Sequence, residues 1–147
     1  MSKFRLTKQF RLEMAHALVG YEGRCSRLHG HSYRLEVTVE SEEGCLQSVG
    51  SEMGMGIDFG AIREIVERTI VEPYDHSLLV RRCEQTEEVV EVLSRHFEGV
   101  YAVEWQPTSE NILSHFAALL TPHIPAGTRL CSLRLHETEK NCAELVL

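Results

Sequence analysis

Two segments of this chain, residues 9–18 and 29–40, alternate between apolar and polar side chains. A two-residue period of this kind is typical of a β-strand with one face in the core and the other in water. The core-facing register of the first segment consists of Phe10, Leu12, Met14, His16 and Leu18. That of the second consists of His29, His31, Tyr33, Leu35, Val37 and Val39. The sequence therefore predicts two strands that carry three histidines on their buried sides.

The remaining segments predict an α+β fold in which strands and helices cluster rather than alternate. Helical periodicity is present in residues 59–72, 86–98 and 107–120, with Pro73 ending the first helix and Thr86 capping the second. Further strands are expected at residues 100–105, 129–137 and 142–147, the last two joined by a hairpin, and a loop or short turn at 74–80. Four or five strands with helices on one face leave sheet edges exposed, so we expect pairing with sister chains.

Charge and composition restrict the partners. A net charge of −7 argues against nucleic acid, and no apolar run reaches the roughly 18 residues of a membrane span. The N-terminal segment is too charged for a secretory signal, and five scattered cysteines do not make a disulfide framework, so we expect a cytoplasmic protein. Residues 1–34 nevertheless hold seven Lys/Arg against two Glu. This local positive charge would suit an anionic substrate, or it is simply a solvated strand face.

The three core-facing histidines predict a metal site. Buried imidazoles need partners, and one ion bound by His16, His29 and His31 would satisfy all of them. Three histidines without a fourth protein ligand are typical of a catalytic zinc, which keeps a position for water or substrate. Gly30, between two of them, allows another backbone to approach closely. The alternatives are hydrogen-bonded core histidines and a structural zinc that also uses Cys25.

Three further features are candidates for chemistry. Cys25 lies in a glycine-bearing loop between Arg24 and Arg27, whose charges favour the thiolate of a base or nucleophile, although free cysteines are usually inert. The other four cysteines show no such surroundings. Asp75-His76 is either an acid/base pair in a turn or two unrelated surface residues. Glu137 ends a core-facing register, so it needs a partner such as a guanidine-like ligand edge, unless it reaches water.

Together these motifs resemble the 6-pyruvoyl-tetrahydropterin synthase family. The resemblance rests on Cys25-x3-His29-Gly-His31, His16 upstream, Asp75-His76, "PTSEN" at 107–111 and "HET" at 136–138. It implies a T-fold (tunnelling fold), in which a four-stranded antiparallel sheet with helices on one face is completed to a barrel by homo-oligomerisation into a trimer or hexamer. It also implies a pterin triphosphate, 7,8-dihydroneopterin triphosphate, as substrate.

The resemblance also implies roles for particular residues. His16, His29 and His31 would bind Zn²⁺, and Cys25, Asp75 and His76 would form the acid/base set. Glu137 would anchor the pterin ring, with Thr108, Ser109 and Glu110 at the other positions of the ring pocket. Because active sites of this family lie between subunits, Asp75-His76 is expected to serve a neighbouring chain.

Within the family, the match is best to the queuosine-pathway branch, the 6-carboxy-tetrahydropterin synthases. Three residues separate Cys25 from His29, as in that branch, and the tetrahydrobiopterin branch generally has a longer interval. A third branch has a glutamate in this loop, where this chain reads Ser26-Arg27-Leu28. The expected reaction releases triphosphate and acetaldehyde and leaves 6-carboxy-tetrahydropterin. The alternatives are the biopterin-branch synthase, a non-catalytic metal- or pterin-binding module, and a zinc hydrolase that does not depend on Cys25.

Overall fold

The two predicted histidine-bearing strands form the centre of the sheet. A computed structural model describes residues 2–147 of the chain. Strand β1 (Lys3–Ala17) pairs antiparallel with β2 (His29–Glu42), with Leu12 opposite Tyr33, Met14 opposite His31 and His16 opposite His29. Both strands are longer than predicted towards the end remote from the histidines. The register follows from the alternation, because a slip by one residue would turn every apolar side chain into water.

Within the described residues 2–147, the sheet contains six strands in the order β4-β3-β1-β2-β5-β6. Strands β5 (Thr128–His136) and β6 (Cys142–Val146) form the predicted hairpin, and β5 pairs antiparallel with β2. The expected four-stranded antiparallel sheet is therefore present as β1, β2, β5 and β6. On the other side of β1, β3 (Ser77–Arg81) and the predicted β4 (Val100–Val103) extend it in parallel.

The prediction of a loop or short turn at residues 74–80 was wrong, because Ser77–Arg81 is strand β3. Ser77, Leu79 and Val80 are all buried, so this strand has covered side chains on both faces. A parallel strand of this kind reads as a short apolar run without alternation. The periodicity on which the prediction relied is therefore absent from it.

The helices cover the apolar face of the sheet. They are α1 (Phe59–Val66), α2 (Glu72–Tyr74), α3 (Glu87–His96) and α4 (Ser109–Leu120), and one π-helical turn (Glu67–Val71) joins α1 to α2. The helix thus runs past Pro73 and ends at Tyr74. Side chains of α1 and α4, such as Ile62 and Phe116, share one core with Leu35. None of the described helices is both long and apolar enough to cross a membrane.

Threonines at the N-termini of α4 and α3 make hydrogen bonds to nearby backbone groups. The side chain of Thr108 caps α4 by accepting a hydrogen bond from the backbone N–H of Asn111 at 3.3 Å. Thr86 occupies the predicted N-cap position of α3, but its hydroxyl makes no cap hydrogen bond to that helix. It instead donates to the carbonyl of Arg81 at 2.6 Å and accepts from the N–H of Cys83 at 3.0 Å.

Candidate active site

The three predicted histidines converge at one end of the β1–β2 pair. The ring centroids of His16 and His29 lie 4.7 Å apart, those of His29 and His31 4.8 Å, and those of His16 and His31 5.2 Å. Gly30 faces the backbone of β1, where an added Cβ would come within 3.1 Å of the carbonyl oxygen of Met14. Glycine at this position therefore permits the close strand approach that brings the rings together.

Backbone carbonyls orient two of the rings. The Nδ1 of His16 lies 2.7 Å from the carbonyl oxygen of Pro107, and the Nδ1 of His29 lies 2.6 Å from that of Arg27. A proton on each Nδ1 leaves a lone pair on each Nε2, and these two Nε2 atoms face one another at 3.2 Å. Two lone pairs at that distance repel, and a cation between them removes the repulsion. The donor set is therefore that of a metal site with its tautomers already fixed.

The third ring lacks a hydrogen bond at the same nitrogen. The buried Nε2 of His31 has no hydrogen-bond partner among the described residues. It lies 2.9 Å from Oε1 of Glu137, but the two atoms are not aligned for a hydrogen bond. An unsatisfied buried nitrogen costs about 1–3 kcal/mol. Coordination of a metal would remove that cost, so His31 fits the role of a ligand.

Glu137 joins the histidines as a fourth side chain. Its Oε1 lies 3.7 Å from the Nε2 of His16, and its Oε2 accepts a hydrogen bond from the Ser109 hydroxyl at 3.1 Å. One ligand atom from each of His16, His29, His31 and Glu137 lies within 4.8 Å of the others, so this group can hold a metal ion. The inward direction of Glu137 agrees with the sequence prediction. Its proximity to the imidazoles was not anticipated.

Burial keeps the imidazoles in the form that binds metals. Burial lowers the pKa of His16, and the hydrogen bond to Pro107 and the charge of Glu137 only partly oppose this effect. Burial likewise lowers the pKa of His31 against the attraction of Glu137. Both rings are therefore neutral at physiological pH, as metal coordination requires. Burial also raises the pKa of Tyr33, whose hydroxyl lies behind the cluster.

A cavity of about 260 Å³ opens beside this cluster and collects most of the other candidates. Its walls include Cys25, Thr108, Ser109, Glu110 and Glu137 together with His16. Cys25 is half-buried there, and its backbone carbonyl accepts a hydrogen bond from the N–H of Leu18 at 3.0 Å. The structure thus brings the predicted base, metal ligands and ring-pocket residues to one place.

Several residues of this cavity had no sequence signal as site residues. Tyr21, Asn141 and Cys142 also line it. The sequence predicts no chemical role for Cys142, and the structure places it at the start of β6, at the cavity wall. The hairpin places it there, a long-range contact that local sequence does not encode.

Asp75 and His76 form a pair in a turn, as the sequence required of them, but away from this cavity. Oδ2 of Asp75 lies 3.0 Å from Nδ1 of His76, and Oδ1 accepts the backbone N–H of Glu13 at 2.8 Å. His76 has a left-handed backbone with φ of 62°, and its side chain is 77% exposed. Among the described residues, the wall of the Cys25 cavity includes neither member of the pair. His76 instead lines a separate depression on β1 and β2 with Glu13 and Ser32.

Sequence reasoning also missed the segment that precedes α4. Gln106 donates from Nε2 to the carbonyl of Val19 at 2.9 Å, which ties the Cys25 loop to the start of the helix. The carbonyl of Gln106 accepts from the side chain of Asn111 at 2.9 Å. The next residue, Pro107, holds His16. Backbone carbonyls leave no trace in the residue pattern, so nothing in the sequence could have identified this role.

Comparison with known proteins gives a consistent result. The model of the 6-pyruvoyl tetrahydropterin synthase family matches residues 5–146. A 6-carboxy-5,6,7,8-tetrahydropterin synthase of Haemophilus influenzae is 31% identical over 142 residues, which cover 96% of this chain and 97% of that protein. A protein of the same name from Rickettsia felis is 29% identical and covers 94% of this chain and 96% of its own length.

Solved structures share the architecture. An uncharacterized protein of Wolinella succinogenes superposes with a TM-score of 0.82 at 22% identity, covering 99% of both chains. The Caenorhabditis elegans 6-pyruvoyl tetrahydropterin synthase superposes with a TM-score of 0.69 at 18% identity, covering 100% of this chain and 97% of its own. Likeness at such identities shows the fold alone, and it confirms the predicted T-fold.

Proposed function

Since this chain belongs to the 6-pyruvoyl tetrahydropterin synthase family, we propose that it is a zinc-dependent 6-carboxy-tetrahydropterin synthase of queuosine biosynthesis. It would convert 7,8-dihydroneopterin triphosphate and one water molecule to 6-carboxy-tetrahydropterin, releasing triphosphate and acetaldehyde. The observation that carries the proposal is the convergence of three histidines beside Cys25, in a chain whose curated relatives bear that name.

Zn²⁺ is the ion that we propose for this donor set. Three neutral imidazoles, from His16, His29 and His31, suit zinc better than they suit hard cations, which prefer oxygen ligands. When bound, zinc would act as a Lewis acid that polarises oxygens of the substrate side chain. The imidazole tautomers are set in advance by Pro107 and Arg27, so little reorganisation accompanies binding.

The residues of the cavity supply the remaining steps. Cys25, at the cavity wall, is proposed to move protons on the substrate side chain as a general base. A carboxylate accepts two parallel N–H bonds, so Glu137 suits the amino-pyrimidine edge of a pterin ring. Thr108, Ser109 and Glu110, at the N-terminus of α4, are proposed as the rest of the ring pocket. Arg24 and Arg27, which flank Cys25, are both exposed and are candidates for the triphosphate.

Asp75 and His76 are proposed to act in a neighbouring subunit's site. The pair is built before any assembly, because Glu13 holds its turn through both backbone groups. His76 faces solvent and lies away from the cavity of its own chain. A trimer or hexamer that places this turn beside another chain's Cys25 would complete the acid/base set. Cytoplasmic location stays a prediction of the sequence.

The test is to supply 7,8-dihydroneopterin triphosphate and identify the pterin formed. 6-Carboxy-tetrahydropterin with acetaldehyde supports the proposal, and a pyruvoyl product would assign the chain to the biopterin branch. Cys25→Ala should abolish turnover with zinc retained, whereas Cys45→Ala, at an exposed cysteine outside the cavity, should not change it. Hydrolysis that survives Cys25→Ala would favour a zinc hydrolase. Binding without any turnover would favour a pterin-binding module.

A further inference from the structure

We propose that Glu137 exchanges between two partners: it closes the histidine cluster in the resting protein and leaves it when a pterin ring binds. Pterin-ring binding would then open the metal to the substrate side chain. This inference rests on the proposed function, since it takes the ring as the second partner. It goes beyond a fixed ring anchor, because it couples ring binding to metal coordination.

The resting position of the carboxylate is inside the cluster. Oε1 of Glu137 lies 2.9 Å from the Nε2 of His31 and 3.7 Å from that of His16. Those two nitrogens, with the Nε2 of His29, are the atoms that would ligate a metal. A carboxylate at this point would be a fourth ligand to a bound ion and would give it the closed coordination typical of a structural site. Catalysis needs an open position, so the carboxylate must move.

The ring cannot bind while both carboxylate oxygens keep their present contacts. Bidentate binding of an amino-pyrimidine edge needs both oxygens aligned with two parallel N–H groups. In the resting structure Oε1 faces the histidines, and Oε2 accepts a hydrogen bond from the Ser109 hydroxyl at 3.1 Å. Each carboxylate oxygen can accept more than one hydrogen bond, so Oε2 can keep Ser109, and the contact that ring binding would break is that of Oε1 with the histidines.

The chain around Glu137 permits that turn. Glu137 follows directly after β5 and begins the connection to β6, with its backbone N–H bonded to the carbonyl of Asn141 at 3.0 Å. The backbone is thus held while the side chain, which is 26% exposed, borders the cavity. Rotation about side-chain bonds can move the carboxylate without unpairing the hairpin.

Charge makes the exchange consequential. Three neutral imidazoles leave a divalent ion with its full charge, and Glu137 neutralises half of it. Removal of the carboxylate therefore weakens the hold on the metal and at the same time increases its attraction for substrate oxygens. By linkage, if a ring weakens metal binding, the metal must weaken ring binding by the same factor.

The experiment measures that coupling without turnover, using unsubstituted pterin, which has the ring but no side chain to reach the metal. The Kd of pterin is measured for zinc-free and zinc-loaded protein, and the Kd of zinc with and without saturating pterin. We expect pterin to weaken zinc binding about 10-fold and zinc to weaken pterin binding equally. Cobalt-loaded protein should change its visible absorption when pterin is added, because a ligand is lost.

Two variants separate a metal ligand from a nearby charge. Glu137→Gln should weaken zinc binding about 10- to 100-fold in the absence of pterin. Glu139→Gln is the matched control, since Glu139 is exposed, two residues away and outside the ligand group, and it should leave the zinc Kd unchanged. Equal zinc affinities for the two variants would overturn the proposal.

The wild-type coupling is decisive by itself, whatever the folding of the variants. Pterin that binds equally well with and without zinc, or that does not bind, overturns the exchange. A chain that shows the coupling but forms no carboxypterin keeps the exchange and loses the proposed reaction. Turnover without coupling would support the proposed reaction and overturn the exchange.

Discussion

Replacement of His31 by leucine should have different effects on stability with and without metal. In the metal-free protein, His31→Leu removes a buried Nε2 that has no hydrogen bond, which relieves about 1–3 kcal/mol. It also removes edge contacts with Tyr33, His29 and His16, whose ring centroids lie 5.3, 4.8 and 5.2 Å away, and the contact with Glu137. Such aromatic pairs contribute about 0.5–1.5 kcal/mol. These losses are similar in size to the gain, so we expect the metal-free variant to be about as stable as the wild type.

With zinc bound, we expect the wild type to be more stable than the variant. A ligand at 100 times its Kd stabilises the folded state by about 2.7 kcal/mol. The unfolding entropy of a chain of 147 residues is about 0.3 kcal/mol per degree near 60 °C, so wild-type Tm should rise by about 9 °C. His31→Leu loses one of three imidazole ligands and should lose most of that rise.

The measurement is thermal unfolding of both proteins with excess chelator and with saturating zinc. His123→Leu serves as the control, because His123 is exposed and lies outside the ligand group, and it should keep the full zinc response. Equal destabilisation of His31→Leu in chelator and in zinc would refute the reasoning. That result would make His31 an ordinary core residue.

Three other perturbations test contacts elsewhere in the molecule. Gln106→Leu removes the hydrogen bond that ties the Cys25 loop to α4, so kcat should fall about 10-fold or more with zinc content unchanged; zinc analysis beside steady-state kinetics checks this. Hydrogen bonds from Arg5 and then Lys3 lower the pKa of Glu40 to about 2, so its contribution to stability is complete above its unfolded pKa and is lost as pH falls towards 2. Urea unfolding across that range should show a shallower acid loss for Glu40→Gln. His76→Gly relieves a left-handed backbone and should raise stability by up to about 1 kcal/mol, measured by urea unfolding, while turnover disappears. A loss of stability in His76→Gly would contradict the backbone strain, and unchanged activity would contradict the proposed role of His76.

The shared name of the relatives and the geometry of the histidines are separate lines of support for the same proposed chemistry. Similarity to 6-carboxy-tetrahydropterin synthases extends over nearly the whole chain. The geometry adds what similarity does not contain, namely the carbonyls that orient His16 and His29 and the position of Glu137. Product identification therefore tests the proposed reaction, and the coupling experiment tests the exchange of Glu137.

The sequence by itself determined the two central strands and the direction of their histidines. Alternation is a property of the local backbone, because successive strand residues point to opposite faces. Once Phe10 and Leu35 are placed in the core, His16 and His31 must face the same side. The hairpin between β5 and β6 was also predictable, since it depends on a few adjacent residues.

Only the tertiary structure decided which distant groups meet. The parallel strand β3 lacks a periodic signal because both of its faces are covered. The carbonyl of Pro107 reaches His16 across 91 positions of sequence, and Glu137 comes to His31 through the pairing of β5 with β2. The same packing keeps His76 away from the Cys25 cavity. Such contacts depend on how whole elements pack, and residue spacing along the chain does not encode them.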